Sequence, residues 1–307
     1  MIFEGKDFQD KVKLKGDVLV IGSGCGGAVV AKELAEAGFE VIVFEEGGYY
    51  RPKEYYQFSP SQALRFMYRD YGGVPAVGLG DTPLILIQAG RCVGGSSVVN
   101  GGVCFRTPDY VIERWRKELG LESFDLKRME SIFERVEQEI SVQPVPEHLL
   151  NKGVLKLREA AKKKGYSGHI IQRNVEGCEG CCRCIFCCPK DHKKSVLITY
   201  LEKAQNHGCR IYADFRVDKI KIKRGKACGI KGRILDRKTR RPVSSFEAEG
   251  KVVVLAAGGL ASPIVLINNG IHRKLKAVGR NLTLHPGARV YGIFDEPILG
   301  WKGAFQS

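Results

Sequence analysis

The chain has 307 residues, 44% hydrophobic and 27% charged, which suits one large α/β domain or two modest ones in an ordinary globular protein. Its apolar runs are strand-length and end in glycine or charge, so no membrane span is expected. The formal net charge of +15 is concentrated in residues 151–241, where 25 Lys and Arg stand against 8 Asp and Glu; with no nucleic-acid motif beside it, this stretch reads as a solvated, lysine-rich face and no nucleic acid is expected.

Residues 1–15 are mixed in charge and lack the apolar centre of a signal peptide, which predicts a cytoplasmic location. The first buried strand is predicted at 17–21, a helix at 28–37 ended by Gly38, and a second strand at 40–44. Residues 48–81 read as an irregular excursion with a helix near 61–68. Glycine-dense 90–102 reads as a ligand-facing loop. Helices are predicted at 110–119 and 126–138, a break at 144–146, and a basic amphipathic helix at 149–164. After a cysteine-rich segment comes a helix at 196–206. Short alternating runs at 210–213, 217–222, 227–235 and 244–248 read as an antiparallel meander. A buried strand at 251–256 and a helix at 262–268 close the pattern.

Gly22-Ser23-Gly24-Cys25-Gly26-Gly27 fits G-x-G-x-x-G. It follows a predicted strand and opens a predicted helix, and acidic Glu45, beside Glu46, ends the next strand. Gly22 permits the tight turn, Gly24 lets backbone approach a diphosphate, and Gly27 lets the helix sit close on the strand. The helix N-terminus offers N–H groups to the phosphates. Glu45 would accept hydrogen bonds from a ribose and argues against a 2′-phosphate. This loop alone does not choose between NAD and FAD.

Later segments make that choice by resemblance. Residues 90–101, Gly-Arg-Cys-Val-Gly-Gly-Ser-Ser-Val-Val-Asn-Gly, closely resemble the first signature of the glucose–methanol–choline (GMC) oxidoreductases. Cys104 to Pro108 continues like the branch that includes long-chain alcohol oxidases. Residues 258–263 with Asn269-Gly270-Ile271 resemble the second signature, departing from it at Gly259 and Asn269. Val278-Gly279-Arg280-Asn281-Leu282 with His285-Pro286 resembles a further family segment. The resemblance implies FAD, bound on a Rossmann-type, glutathione-reductase-like parallel sheet with an antiparallel meander and a helical, cysteine-rich insertion. It implies FAD contacts from Arg91, Gly94, Gly95, Ser96, Asn100 and Gly101, from Val217 through its main chain, and from Ala257, Gly258 and Asn281, in addition to residues 22–27, Glu45 and Glu46. Gly94 and Gly95 leave room for backbone N–H groups to meet phosphate or flavin oxygens, and Asn100 offers both a donor and an acceptor.

Cys178-x₂-Cys181-x₂-Cys184-x₃-Cys188-Pro189 matches the bacterial ferredoxin run. Cys178, Cys181, Cys184 and Cys188 are therefore candidate ligands of a [4Fe–4S] cluster; zinc, and structural cysteines without metal, stay open as alternatives.

The domain expectation is a first FAD-binding part at 1–110, the helical, cysteine-bearing insertion at 111–192, and a second FAD-binding part at 193–307 leading into an incomplete substrate domain. In the family, the catalytic histidine lies in a C-terminal half with no counterpart here, so the catalytic residue is unassigned; the resemblance makes His285 a cofactor-side residue. The expected function is the FAD-binding portion of an enzyme oxidising an alcohol or polyol by hydride transfer to flavin, with electrons passing to an iron–sulfur cluster. The alternative is a non-catalytic FAD and iron–sulfur electron-transfer subunit. Expected partners are a small-molecule alcohol and either a second subunit supplying the missing half or an electron-acceptor protein. A truncated product is the remaining account.

Overall fold

The computed structural model describes every residue except Leu79, Thr82, Pro83, Pro286, Ala288 and Arg289. In chain order the elements are β1 (Ile2–Glu4), β2 (Val12–Lys15), β3 (Val18–Ile21), α1 (Cys25–Glu36), β4 (Val41–Glu45), α2 (Pro52–Tyr55), α3 (Pro60–Met67), β5 (Val74–Ala76), β6 (Ile85–Ile87), α4 (Asp109–Leu119), α5 (Leu126–Glu139), β7 (Val142–Pro144), α6 (Lys152–Lys163), β8 (Gln172–Asn174), α7 (Tyr200–Asn206), β9 (Arg210–Ala213), β10 (Phe215–Lys223), β11 (Lys226–Leu235), β12 (Pro242–Glu249), β13 (Val252–Leu255) and α8 (Gly258–Asn268). They form two compact units, Met1–Asn100 with Val196–Tyr291, and Gly101–Ser195 with Gly292–Ser307. Among the described residues no helix is long and apolar enough to cross a membrane.

The first unit holds a five-stranded sheet in the order β1-β9-β4-β3-β13, parallel throughout. A second sheet, β10-β11-β12-β2, is the expected meander with β2 added parallel to β12. The reason is in the side chains. β3 is an uninterrupted apolar run and β4 is apolar up to its terminal Glu45, and both are buried along their whole length, as a parallel strand covered on both faces must be. Leu19, Ile21, Ile42 and Phe44 enter a core with Phe215, Ile230 and Phe246 from the meander. The Phe44 and Phe246 rings stack at 5.1 Å. Burying each such ring contributes about 1.5–3 kcal/mol. α1 presents only small buried residues, Gly27, Ala28, Ala31 and Ala35, so it can lie close to the sheet.

Several boundaries differ from the sequence expectation. α1 begins at Cys25, because Gly26 and Gly27 are taken into its first turn. The helix expected at 196–206 begins only at Tyr200; Val196 instead donates its N–H to Ser97 Oγ at 3.1 Å, anchoring the second glycine loop. The basic helix begins at Lys152, capped by Asn151 Oδ1, which accepts from the Val154 N–H at 3.1 Å. The strand expected to be buried at 251–256 is the sheet's edge, and none of Val252–Leu255 is buried. β1 and β2 were not anticipated.

In the second unit, α4 and α5 precede the β7–β8 ribbon and the cysteine segment. A small core of Val145, Leu149, Leu150 and Ala304 receives Val154 and Leu155 from α6.

Candidate functional site

At the C-terminal ends of β3, β4 and β13 the first unit opens a cavity of about 480 Å³. That size is typical of a small-molecule or cofactor site. The strand-end position, outside a parallel sheet, is where such folds bind ligands.

The turn after β3 builds one wall. Gly22 has φ +101°, a conformation costly for any residue with a side chain, and a Cβ there would lie 2.4 Å from the Ala256 carbonyl oxygen. Gly24, Cys25 and Gly26 line the cavity. Gly24 is the N-cap of α1 with no side-chain cap, and the first turn carries no acidic residue. The free N–H groups and positive end of a 12-residue helix therefore face a prospective anion. Gly27 serves another purpose: its Cβ would stand 1.9 Å from the Gly22 carbonyl oxygen, so only glycine lets helix and turn touch.

Ser23 does not reach the cavity; it is fully buried. Its N–H and hydroxyl both donate to Glu45 Oε2, at 3.1 and 2.7 Å, and its oxygen accepts the Gly94 N–H at 3.1 Å. Gly47 N–H donates to Glu45 Oε1 at 2.9 Å. The carboxylate thus holds three donors. It has about four lone-pair sites, which leaves one for a ribose hydroxyl, and Glu45 lines the cavity. Burial pushes its pKa up despite the Ser23 and Gly47 donors. A carboxyl whose folded pKa lies above its unfolded value favours the fold below the unfolded pKa and loses that contribution as pH rises through the folded one. The Glu45 contribution to the stability of the flavin-free protein should therefore be lost as pH climbs from the ordinary carboxylate range, so the difference in stability between wild type and Glu45→Gln should change with pH there. Urea unfolding across a pH series checks this; parallel profiles would refute it.

The other expected contacts divide. Glu46 lines the cavity and pairs with Arg69. Gly95, Ser96, Val217, Ala257 and Gly258 also line it. Gly94, at φ +92°, supports the wall from behind through Ser23. Four more of the expected residues do not line this cavity. Arg91 contributes backbone against Gly47 rather than cavity wall. Asn100 is exposed and ends the first unit. Gly101 belongs to the second unit, where its carbonyl accepts from the Arg173 guanidinium at 2.6 and 3.1 Å. Asn281 is exposed, and its neighbours Leu282 and Leu284 line the cavity instead. His285 is exposed, and Pro286 lies outside the described residues.

Sequence reasoning missed Phe44, Arg69, Ile87, Phe215 and Arg216 in the wall. Phe215 had a signal, since it shares a strand face with Val217. Asn269, where the sequence leaves the family pattern, is structural: Oδ1 accepts the Ile220 N–H at 3.0 Å, and Nδ2 donates to the Asp218 and Val265 carbonyls at 3.3 and 2.7 Å, tying α8 to β10.

In the second unit Cys178, Cys181, Cys184 and Cys188 line a cavity of about 90 Å³ with Cys182 and His192. Among the described residues, however, no three His, Cys, Asp or Glu side chains are arranged to hold a metal ion, so the expected four-cysteine ligand set is not assembled. Cys184 is buried and turned toward Arg173, whose guanidinium donates to Sγ at 3.0 Å, while Lys193 Nζ donates to the Cys184 carbonyl at 2.8 Å. Burial pushes the Cys178 and Cys182 thiols up, and Cys187 up to about 12.

Comparison with known proteins accords with this geometry. Residues 17–287 match the family model described as GMC oxidoreductase. An uncharacterised GMC-type oxidoreductase of Mycobacterium tuberculosis is 37% identical over 295 residues, covering 95% of this chain and 45% of the relative. A long-chain-alcohol oxidase of Arabidopsis thaliana is 28% identical over 302 residues, covering 94% of this chain and 38% of the relative. The chain thus spans less than half the length of both. Among solved structures, pyridoxine 4-oxidase from Mesorbium loti matches with TM-score 0.64 at 18% identity, covering 86% of this chain and 54% of that one. An Aspergillus oryzae formate oxidase matches with TM-score 0.59 at 16% identity, covering 88% and 50%. These likenesses carry the fold.

Proposed function

The chain belongs to the GMC oxidoreductase family, and from that premise we propose that it is the FAD-binding part of an enzyme that oxidises an alcohol or polyol. The observation that carries this reading is the glycine-walled cavity at the N-terminus of α1, with Glu45 on the neighbouring strand end. Bound FAD would supply the acceptor for a hydride from the carbinol carbon. This chain's residues position the cofactor. The backbone at Gly24–Gly26 and the α1 N-terminus receive the diphosphate. Glu45, fixed by Ser23 and Gly47, takes a ribose hydroxyl. Val217 lies on the adenosine side, and Gly95 and Ser96 close the wall by the second glycine loop. No residue of this cavity wall is assigned as the base that takes the alcohol proton, and the proposed setting is cytoplasmic. Electron exit through an iron–sulfur cluster, and with it the electron-transfer alternative, has no assembled ligand set behind it, so no step is routed through one.

The test is an absorption spectrum of anaerobically purified protein supplied with FAD. Bands near about 370 and 450 nm that co-elute with the protein are expected of an oxidised flavoprotein. Protein that elutes free of flavin would overturn the assignment.

A further inference from the structure

Arg173 is the largest fully buried side chain among the described residues, at 2% exposed. Its Nε and Nη2 donate to the Gly101 carbonyl at 3.1 and 2.6 Å, and Nη2 also donates to Cys184 Sγ at 3.0 Å. A guanidinium carries five N–H donors, so both hydrogens of Nη1 are left without an acceptor among the described residues. Among those residues no Asp or Glu pairs with it either. Glu176 and Glu179, the next acids along the chain, pair with Lys194 and Lys190. By contrast, the Arg237 guanidinium in the first unit meets two carboxylates, Asp214 and Glu4. A buried charge is strongly unfavourable unless an opposite charge accompanies it, and arginine does not escape by losing its proton.

Arg173 lines a cavity of about 150 Å³ in the second unit. Gln143 is its register partner across the β7–β8 ribbon, and directly opposite residues put their side chains on one face; Gln143 lines the cavity as well. Val145, Leu149, Val175 and Ala304 supply apolar wall, and no Asp or Glu is among the lining residues. A pocket with apolar sides, one buried cation and no anion calls for an occupant that brings the anion. We propose that it binds a short-chain monocarboxylate, whose carboxylate accepts from Arg173 Nη1 and whose alkyl tail lies against Val145, Leu149 and Val175. The volume holds about five water-sized groups, which suits propanoate. One guanidinium balances one negative charge, so a phosphate dianion would bring a surplus charge against apolar wall. The pocket shares no lining residue with the cofactor cavity, so this ligand is additional to flavin and alcohol.

The test titrates the 307-residue chain with sodium propanoate at neutral pH, by calorimetry and by thermal unfolding, with propan-1-ol and sodium phosphate as controls. Propanoate should bind one-to-one with a dissociation constant of about 1 mM or tighter and raise the melting temperature; neither control should do so. Cys178 also lines the pocket, so its alkylation by iodoacetamide, mapped by mass spectrometry, should slow when propanoate is bound. Arg173→Met removes the cation but also strips the Gly101 carbonyl of its donors, so a loss of fold there is uninformative. Gln143→Glu keeps Arg173 and tethers a carboxylate opposite it; propanoate affinity should fall at least about tenfold. Lack of propanoate binding by the wild type, an equal response to phosphate or propanol, or wild-type affinity in Gln143→Glu would overturn the proposal. An iron–sulfur chromophore bound through Cys184 in anaerobically purified protein would supply the countercharge instead and overturn it too.

Discussion

Gly24→Val is expected to abolish flavin retention without lowering the melting temperature of the flavin-free protein. The two halves of that result come from different neighbours. A Cβ at Gly24 would meet nothing closer than Gly95 Cα at 3.9 Å, an ordinary van der Waals contact. The backbone, at φ −69° and ψ −171°, is extended and suits a β-branched residue. Protein alone therefore tolerates valine. The branched side chain, however, stands in the cavity wall at the N-cap of α1, where a diphosphate must come within hydrogen-bond distance of main-chain N–H groups. Affinity for FAD should fall at least about a hundredfold, near 2.7 kcal/mol. Gly27→Ala, three residues on, provides the contrast. Its methyl group would sit 1.9 Å from the Gly22 carbonyl oxygen, so fold and flavin are lost together. Flavin fluorescence of the purified variants and thermal unfolding of their flavin-free forms separate the two. FAD retained at wild-type affinity by Gly24→Val would show that the diphosphate lies elsewhere.

The dinucleotide turn was legible in sequence because everything it needs is local. Two apolar runs, a glycine spacing and an acidic residue at a strand end lie within one βαβ unit, and each glycine role is visible within it. What failed was long-range. The motif that assigned Asn100 and Gly101 to the cofactor could not show that the Gly101 carbonyl accepts from Arg173, 72 positions along the chain. β1 has three residues and β2 four, too short to show a period; each is a strand because of a partner beyond residue 200. Cysteine spacing is one-dimensional and carries no information about Arg173 turning Cys184 inward. The β13 run read as buried because composition records what a strand is suited to, whereas burial depends on what covers it.

Arg237→Met should cost the isolated protein about 3–5 kcal/mol, because it leaves a charge stranded in the interior. Asp214 is 1% exposed and sits at φ +65° in the single-residue corner between β9 and β10. Arg237 Nη2 donates to Asp214 Oδ2 at 2.7 Å, and Nη1 pairs with Glu4 Oε2 at 2.7 Å and donates to the Tyr49 carbonyl at 2.9 Å. Burial opposes the guanidinium charge, but the two carboxylates hold its pKa above the ordinary arginine value. Lysine cannot reproduce this fork with a single ammonium, so Arg237→Lys should recover only a minor part of the loss. Asp214→Asn combined with Arg237→Met should recover more, since neither charge is then left unpaired. The damage should also reach the cofactor, because the Asp214 N–H donates to the Gly47 carbonyl at 2.9 Å and the Gly47 N–H in turn holds Glu45 Oε1. Urea unfolding of the three variants, with FAD titration of each at a temperature where it is folded, measures both effects. A loss below about 1 kcal/mol for Arg237→Met, the range of an exposed pair, would mean that water reaches Asp214 and that this corner does not brace the ribose-binding carboxylate.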